Sequence, residues 1–222
     1  SSTGTFYDDQ GQVSSTVDSY GAETHYVYDL AGRQIETRTQ VRDESAALRW
    51  LVSRTVYDAL GRPVISADPY LAGNGVDPPS AASPALLATR TVYDELGRAE
   101  RTERLDGAVI TLSGDGENLH TELSAPGTIA WGTHTVYDGA GRVDHTVGRM
   151  GEEIDYEYDS VGRQAAVVSP GPGPAVRHRS ETLYDSQGRV AYTRDNIAVR
   201  QDTLGNWTDL DYSQARVTCY QY

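Results

Sequence analysis

The sequence predicts an all-β protein built from repeated β-hairpins. Three observations lead to this prediction: a short motif that returns along the chain, a high glycine content, and an aromatic composition dominated by tyrosine. The 222 residues include 22 glycines and 15 tyrosines but only 1 phenylalanine. Abundant glycine is typical of tight turns, and tyrosine favours strands over helices. A chain of this length can bury a substantial core.

The motif Tyr-Asp-x-x-Gly-Arg organises the chain. Six copies are complete, and a seventh at Tyr7–Gln12 lacks only the arginine. Successive tyrosines lie 21 to 44 residues apart, and this many matches at fixed positions identify an internal repeat. We assign the following as structural repeat positions: Tyr28, Asp29, Gly32, Arg33, Tyr57, Asp58, Gly61, Arg62, Tyr93, Asp94, Gly97, Arg98, Tyr137, Asp138, Gly141, Arg142, Tyr158, Asp159, Gly162, Arg163, Tyr184, Asp185, Gly188 and Arg189.

Each fixed position has a physical role in a hairpin turn. The aspartate is expected to accept hydrogen bonds from the N–H groups of a type I turn, and the glycine to adopt the left-handed conformation that follows. This combination closes a short hairpin with a glycine bulge. The arginine begins the leaving strand, and we expect it either to pair with an aspartate or to stack on a neighbouring tyrosine.

The strand that enters each turn alternates in character. In two copies a second tyrosine precedes the first by two residues, at Tyr26 and Tyr156. Residues two apart in a strand share a face, so the tyrosines are predicted to form stripes on one side of the sheet. A glycine and a Thr or acidic residue precede these strands, which gives a minimal unit of two strands and two turns.

The longer spacings are interpreted as the same unit with lengthened connections. Residues 68–85 contain four prolines and predict an irregular surface excursion. Residues 105–132 alternate like an extra hairpin, whereas the Pro-Gly alternation within 169–175 predicts irregular structure. Residues 43–51 form the one segment compatible with a short helix.

These boundaries divide the chain into a repeat region, residues 1–200, and a degenerate terminal repeat or cap, residues 201–222. Each hairpin buries only one face by itself, and repeat proteins complete their core by stacking neighbours. Open strand edges also invite pairing with other chains. We therefore expect these residues to be a fragment of a larger protein or to contact further copies or partner chains.

Charge and composition exclude several classes of partner. The net charge is −13, and all 19 basic residues are arginine. An acidic surface repels phosphate backbones, so nucleic-acid binding is not expected. No apolar run approaches the roughly 20 residues of a membrane helix, so membrane insertion is not expected either. The single cysteine, Cys219, excludes an internal disulfide framework and is either a free thiol or bonded to another part of a longer chain.

No catalytic motif is present, and the sequence predicts neither an enzyme nor a cofactor site. The five histidines lack metal-ligand spacing. The turn aspartates suggest calcium, with residues 115–118 as the best candidate, but use of each carboxylate in its own turn explains the fixed distance to glycine better. We therefore predict no metal site. Asn206-Trp207-Thr208 fits a glycosylation acceptor.

The three tryptophans are the candidate glycan-binding residues. Exposed indole rings stack on sugars, whereas buried ones pack against hairpin faces, and the sequence allows both interpretations. The residues concerned are Trp50, Trp131 and Trp207.

The repeated motif resembles the YD repeats of the Rhs and teneurin superfamily from Tyr7 to about Arg189. The resemblance implies hairpins that spiral into a large hollow shell, of which 222 residues would form an arc. In bacterial members the shell encloses a C-terminal toxic domain, and in teneurins it is an extracellular scaffold. Family members that release cargo cleave themselves near Asp-Pro-x-Gly motifs, whereas Asp68-Pro69 and Asp77-Pro78 do not continue to a glycine.

The resemblance implies a structural role outside the cell. We expect a non-enzymatic scaffold, part of the shell of a secreted or cell-surface bacterial protein, which encloses toxin cargo or projects other domains. Its partners would be the rest of a longer YD-repeat chain, other copies or an enclosed cargo domain. The alternative is an extracellular adhesion module that binds carbohydrate or protein, because some YD-repeat proteins have been linked to carbohydrate binding.

Overall fold

The computed structural model describes residues 3–115, 118–173, 176–201, 207–211 and 215–220. It is an all-β structure of antiparallel hairpins, as predicted. The chain divides into two compact units, Ser1–Gly132 and Thr133–Tyr222. Within the described ranges there is no helix with the length and apolarity needed to cross a membrane.

The first unit is a run of hairpins in which most strands pair with their neighbours in the chain. The β10 strand (His120–Ala125) pairs with the second half of β9 (Ala99–Ser113). Their hairpin lies over β5 (Leu48–Tyr57), where the Thr121 hydroxyl donates to the Thr55 carbonyl. The strands of this unit are β1 (Gly4–Tyr7), β2 (Val13–Val17), β3 (Glu23–Tyr28), β4 (Gln34–Arg42), β5 (Leu48–Tyr57), β6 (Pro63–Ala67), β7 (Tyr70–Ala72), β8 (Leu86–Tyr93), β9 (Ala99–Ser113) and β10 (His120–Ala125).

The core of the first unit lies between the β5–β8 strands and the β9–β10 hairpin. Its buried residues occupy alternate positions of β5 and β8, the face opposite the turn tyrosines, because side chains two apart share a face. They pack against the apolar side chains of β9. The cluster comprises Trp50, Val52, Ile65, Ala67, Tyr70, Leu86, Ala88, Leu105, Ala108 and Ile110.

The second unit repeats the hairpin pattern with a smaller core of Val168, Ile197 and Val199. The strands from β11 (Thr128–Tyr137) to β16 (Val190–Gln201) pair in chain order, and β16 also pairs with β17 (Trp207–Asp211) and β18 (Arg216–Cys219). The unit boundary falls within β11 (Thr128–Tyr137), and the following strands are β12 (Val143–Val147), β13 (Glu153–Tyr158), β14 (Gln164–Gly173), β15 (Val176–Tyr184), β16 (Val190–Gln201), β17 (Trp207–Asp211) and β18 (Arg216–Cys219).

The Asp-x-x-Gly motifs lie at hairpin tips, as the sequence predicts. At Asp58 the carbonyl accepts a hydrogen bond from the Gly61 N–H at 3.0 Å, and the Asp58 N–H donates to the Arg62 carbonyl at 2.9 Å. The strand register shifts between Val56 and Tyr57, which is the expected bulge. Gly61 has a φ of +81°, the left-handed conformation inferred for this position.

We expect Gly61→Val to lower the free energy of unfolding by about 1–3 kcal/mol, because a β-branched residue is strained at positive φ. A Cβ at position 61 would also meet Nη1 of Arg33 at 3.3 Å. Leu60→Ala is the matched control, because Leu60 is 78% exposed in the same turn. Chemical denaturation measures both variants, and equal losses would contradict the turn assignment.

The helical interpretation of residues 43–51 is wrong. Residues 43–47 form another turn of the repeat type, in which the Ala46 N–H donates to the Asp43 carbonyl at 2.8 Å, and β5 begins directly after it at Leu48. The sequence conceals this turn because Ala46 stands where the motif has glycine. Ala46 adopts a φ of +62°, which L-residues with a Cβ rarely take.

We expect Ala46→Gly to raise the free energy of unfolding by up to about 1 kcal/mol, because it removes the steric cost of the left-handed conformation. Ala59→Gly is the control, because Ala59 itself does not have a positive φ, so its replacement relieves no strain and only increases the conformational entropy of the unfolded chain. Equal shifts of the melting temperature in the two variants would show that the backbone of Ala46 is not strained.

The three predicted connections have different outcomes. The extra hairpin in 105–132 is confirmed as the β9–β10 pair. Residues 68–85 are mostly irregular but include β7 and an isolated bridge between Ala82 and Thr111. The prediction of irregular structure at 169–175 is wrong for residues 169–173, because β14 extends through Gly173 and pairs with β15, and residues 174–175 lie outside the described residues. A register shift between Pro170 and Gly173 accommodates the prolines within this pairing.

Candidate functional site

The charged groups of each turn bind one another in a fixed pattern. Oδ1 of Asp58 accepts the N–H groups of Leu60 and Arg62 at 3.0 and 2.9 Å. Oδ2 of Asp58 accepts Nε of Arg62 at 2.7 Å, and Nη2 lies 2.7 Å from the same oxygen. The carboxylate is therefore fully used within its own turn, in agreement with the interpretation of these aspartates as turn residues.

The arginine of one turn also contacts the next repeat. The guanidinium carbon of Arg62 lies 4.3 Å from the centre of the Tyr93 ring, within cation–π range. Nη1 of Arg62 lies 3.3 Å from the position that a Cβ would take on Gly97. The hydroxyl of Tyr93 donates to the carbonyl of Pro63, the residue after the arginine, at 3.1 Å. We call this arrangement of carboxylate, guanidinium and following tyrosine the arginine clamp.

The arginine clamp recurs in both units. Its ring distances are 4.9 Å for Arg33 on Tyr57, 4.2 Å for Arg142 on Tyr158 and 4.2 Å for Arg163 on Tyr184. The sequence left pairing and stacking as alternatives, and the structure shows that one guanidinium does both. A lysine ammonium lacks the planar fork that binds a carboxylate and stacks on a ring together.

The remaining turn positions lie where the motif predicts. Asp94, Asp138 and Asp185 each accept an Nε hydrogen bond from the arginine four residues later, at 2.7 to 2.8 Å. The glycines of the six complete motif copies are all left-handed, with φ between +76° and +87°: Gly32, Gly61, Gly97, Gly141, Gly162 and Gly188.

Hydrogen bonding lowers the pKa of the turn carboxyl in each of the six complete motif copies. For Asp58 and Asp94 the largest cause is the backbone N–H of the arginine four residues later, and the guanidinium adds to it, while burial acts in the opposite direction. At Asp29 burial is the largest single influence and raises the pKa, but the hydrogen bonds from Arg33 together outweigh it.

The lowered pKa values predict acid sensitivity. In the folded protein each of these carboxyls has a pKa below its ordinary value of 3.8. Its contribution to stability is therefore present above about pH 4 and is lost as the pH falls through the folded pKa. We expect the urea midpoint to fall between about pH 5 and about pH 3. Asp58→Asn should reduce this dependence more than Asp9→Asn, and equal effects would contradict the assignment.

The tryptophan candidates do not form a common surface. Trp50 is 3% exposed in the core, and its indole N–H donates to the Asp77 carbonyl at 2.8 Å, so the glycan-binding assignment of Trp50 is wrong. Trp131 is half-buried in β11, and the side chain of Trp207 lies outside the described residues. Five turn tyrosines are half-buried as well, and the hydroxyl of each donates to the carbonyl that follows the preceding motif copy: Tyr28, Tyr57, Tyr93, Tyr158 and Tyr184. Tyr7 is 64% exposed.

The metal and modification candidates fall mostly outside the described residues. Residues 116 and 117 of the calcium candidate, and Asn206 of the glycosylation acceptor, are not described. In the part of the chain that is described, no group of three His, Cys, Asp or Glu side chains is placed to hold a metal. Cys219 is exposed and has no disulfide partner among the described residues.

No sequence pattern indicated the most buried ion pair among the described residues. Arg54 and Glu36 have fully buried side chains, and Nε of Arg54 lies 2.7 Å from Oε2 of Glu36. Nη1 and Nη2 of Arg54 donate to the carbonyls of Ser80, Ala81 and Ile110 at 2.6 to 2.9 Å. One guanidinium therefore fixes the excursion and the β9 strand to β5. Arg54 does not belong to the repeat motif, and its partners are distant from it in the sequence.

Comparison with known proteins gives structural matches only. No family model and no curated protein matches the sequence. The chain is similar to the crystal structure of TcdB2-TccC3-TEV and to a mutant Tc holotoxin pore of Photorhabdus luminescens, each with a TM-score of 0.49 and 16% identity over 92% of this chain. TcdB2-TccC3 without its hypervariable C-terminal region matches with a TM-score of 0.36 and 15% identity. The chain spans 11% of the length of the first two structures.

Proposed function

We propose that this chain is a non-enzymatic structural scaffold. It forms an arc of the YD-repeat shell of a large secreted or cell-surface bacterial protein, where the shell encloses toxin cargo or projects other domains. The single observation that carries the proposal is the arginine clamp. It uses the recurring aspartate, arginine and tyrosine to join one hairpin to the next.

The arginine clamp favours a structural role over a catalytic one, because its charged groups already bind one another. In Asp58 and Arg62 the charged atoms are bound to each other, and the free face of the guanidinium is stacked on Tyr93. Such a pair holds two turns side by side, and repetition extends the contact along the row of hairpin tips. A row of identical lateral contacts is the arrangement by which repeat proteins build a continuous structure.

The structure of the complete natural gene product, determined by electron cryomicroscopy, tests this proposal. We expect the 222 residues to form consecutive hairpins in the wall of a hollow shell. A free-standing unit beside other domains, with glycans captured on an array by the same protein, would contradict the proposal and favour an adhesion module.

A variant pair tests the role of the clamp in the same protein. Arg62→Ala removes one clamp, whereas Arg42→Ala removes an exposed arginine whose one hydrogen bond to a described residue is to the nearby Ala46 carbonyl. We expect the first variant alone to increase cleavage of the wall by an added protease. Equal cleavage of both variants would show that the clamp does not maintain the wall.

A further inference from the structure

The first Tyr-Asp turn of the chain differs from the six complete copies of the motif at one position. Where later turns carry the arginine of the clamp, the turn after Tyr7 carries Gln12. Its amide Nε2 donates to the Gly32 carbonyl at 3.3 Å, and it lies beside Gly32 as Nη1 of Arg33 lies beside Gly61. Glutamine therefore keeps the contact with the next turn but supplies no positive charge.

The other parts of this clamp keep their positions. The Tyr28 hydroxyl donates to the Val13 carbonyl at 3.0 Å, the bond that Tyr93 makes to Pro63 in a complete clamp. Oδ1 of Asp8 accepts the N–H groups of Gln10 and Gln12 at 3.0 and 2.8 Å, as in the other turns. The carboxylate and the ring are thus arranged as they are around a guanidinium elsewhere in the same chain.

The negative charge of the Asp8 carboxylate is not balanced by a cation among the described residues. Oδ2 of Asp8, the oxygen that binds arginine in the complete turns, has no partner among the described residues, and no described cation lies over the Tyr28 ring. The neighbouring carboxylate of Asp9 is also unpaired within the described ranges. A cavity of about 360 Å³ opens here, and its walls include Asp8, Gln12, Ser14, Tyr26, Tyr28 and Leu119.

We propose that this cavity binds a guanidinium group supplied from outside the turn, either the side chain of an arginine on another polypeptide segment or a small guanidinium compound. The Asp8 carboxylate pairs with the cation, and the Tyr28 ring stacks on its plane. The clamps of Arg33, Arg62, Arg142 and Arg163 show the same combination around an internal guanidinium. The planar fork favours guanidinium over a compact ammonium.

Titration of the whole chain with methylguanidinium, followed by the NMR signals of the tyrosine rings, tests the proposal. Methylammonium has the charge without the plane, and urea has the plane without the charge. We expect saturable binding of methylguanidinium, about tenfold weaker binding of methylammonium and no binding of urea. Equal responses to all three compounds would overturn the proposal.

Variants distinguish binding at this site from nonspecific attraction of cations to the acidic chain. Gln12→Arg supplies the guanidinium from the chain itself and should abolish binding, while Asp8→Asn should weaken it by about tenfold. Asp18→Asn is the matched control, because Asp18 makes the same two hydrogen bonds within its own turn and is not part of the cavity wall. Binding that persists in Gln12→Arg, or that is lost equally in Asp18→Asn, would overturn the proposal.

A short arginine peptide distinguishes the two sources of the group. If acetyl-Gly-Arg-Gly-amide binds more tightly than methylguanidinium, the site recognises an arginine in a polypeptide. If the small cation binds at least as tightly, the site recognises a free guanidinium compound. Failure of both to bind would contradict the proposal.

Discussion

Arg54→Met is expected to lower the free energy of unfolding by about 3–5 kcal/mol, because it removes the buried cation bound to Oε2 of Glu36 and leaves only Arg38, 3.5 Å from Oε1, beside this buried carboxylate. Both side chains are fully buried, and the three carbonyls that Arg54 binds also lose their donors. Chemical denaturation of the variant and of the unaltered chain measures the loss.

Arg101→Met is the matched control for this prediction. The Arg101 side chain is 49% exposed, and its Nη1 lies 3.5 Å from a carboxylate oxygen of Glu103. We expect a loss of at most about 1 kcal/mol, as for other exposed ion pairs. Similar losses for the two arginines would show that burial does not determine the cost. Arg54→Met should also speed proteolysis near Ala81, because Arg54 holds that carbonyl.

Trp50→Ala is expected to cost about 3–5 kcal/mol, since it leaves a large cavity in the core of the first unit. Trp50→Phe retains most of the apolar contact but removes the donor to the Asp77 carbonyl, so its cost should be about 1–3 kcal/mol. Thermal and chemical unfolding measure both losses.

The neighbouring Leu51 provides the control for Trp50. Leu51 is 37% exposed and lies on the opposite face of β5, so Leu51→Ala should cost less than half as much as Trp50→Ala. A Trp50→Ala variant that unfolds like the unaltered chain would place the indole outside the core. It would also restore Trp50 as a candidate for glycan stacking.

The hairpins were predictable from the sequence because their determining contacts are local. Asp58 binds the N–H groups two and four residues later and the side chain of Arg62, all within one turn. Gly61 meets a requirement of the same turn. Such contacts need no distant partner, so a motif of six residues specifies them wherever it occurs.

The turn at residues 43–47 and the β14 strand show where local patterns mislead. Ala46 adopts the left-handed conformation without glycine, because the Asp43 carboxylate and the flanking β4–β5 pairing maintain the turn. In β14, pairing with β15 continues through Pro170 with a shift in register. In both segments the neighbouring strands override the local preference.

The sequence by itself determined the repeated hairpins, the turn chemistry and the polarity of the surface, because each depends on neighbouring residues or on composition. The tertiary structure determined which residues of different repeats contact one another. Arg62 reaches Tyr93 of the next repeat, and Arg54 reaches a carbonyl 56 residues away. The burial of Trp50 and of the Arg54–Glu36 pair follows from such distant contacts, because only packing between elements brings these side chains together.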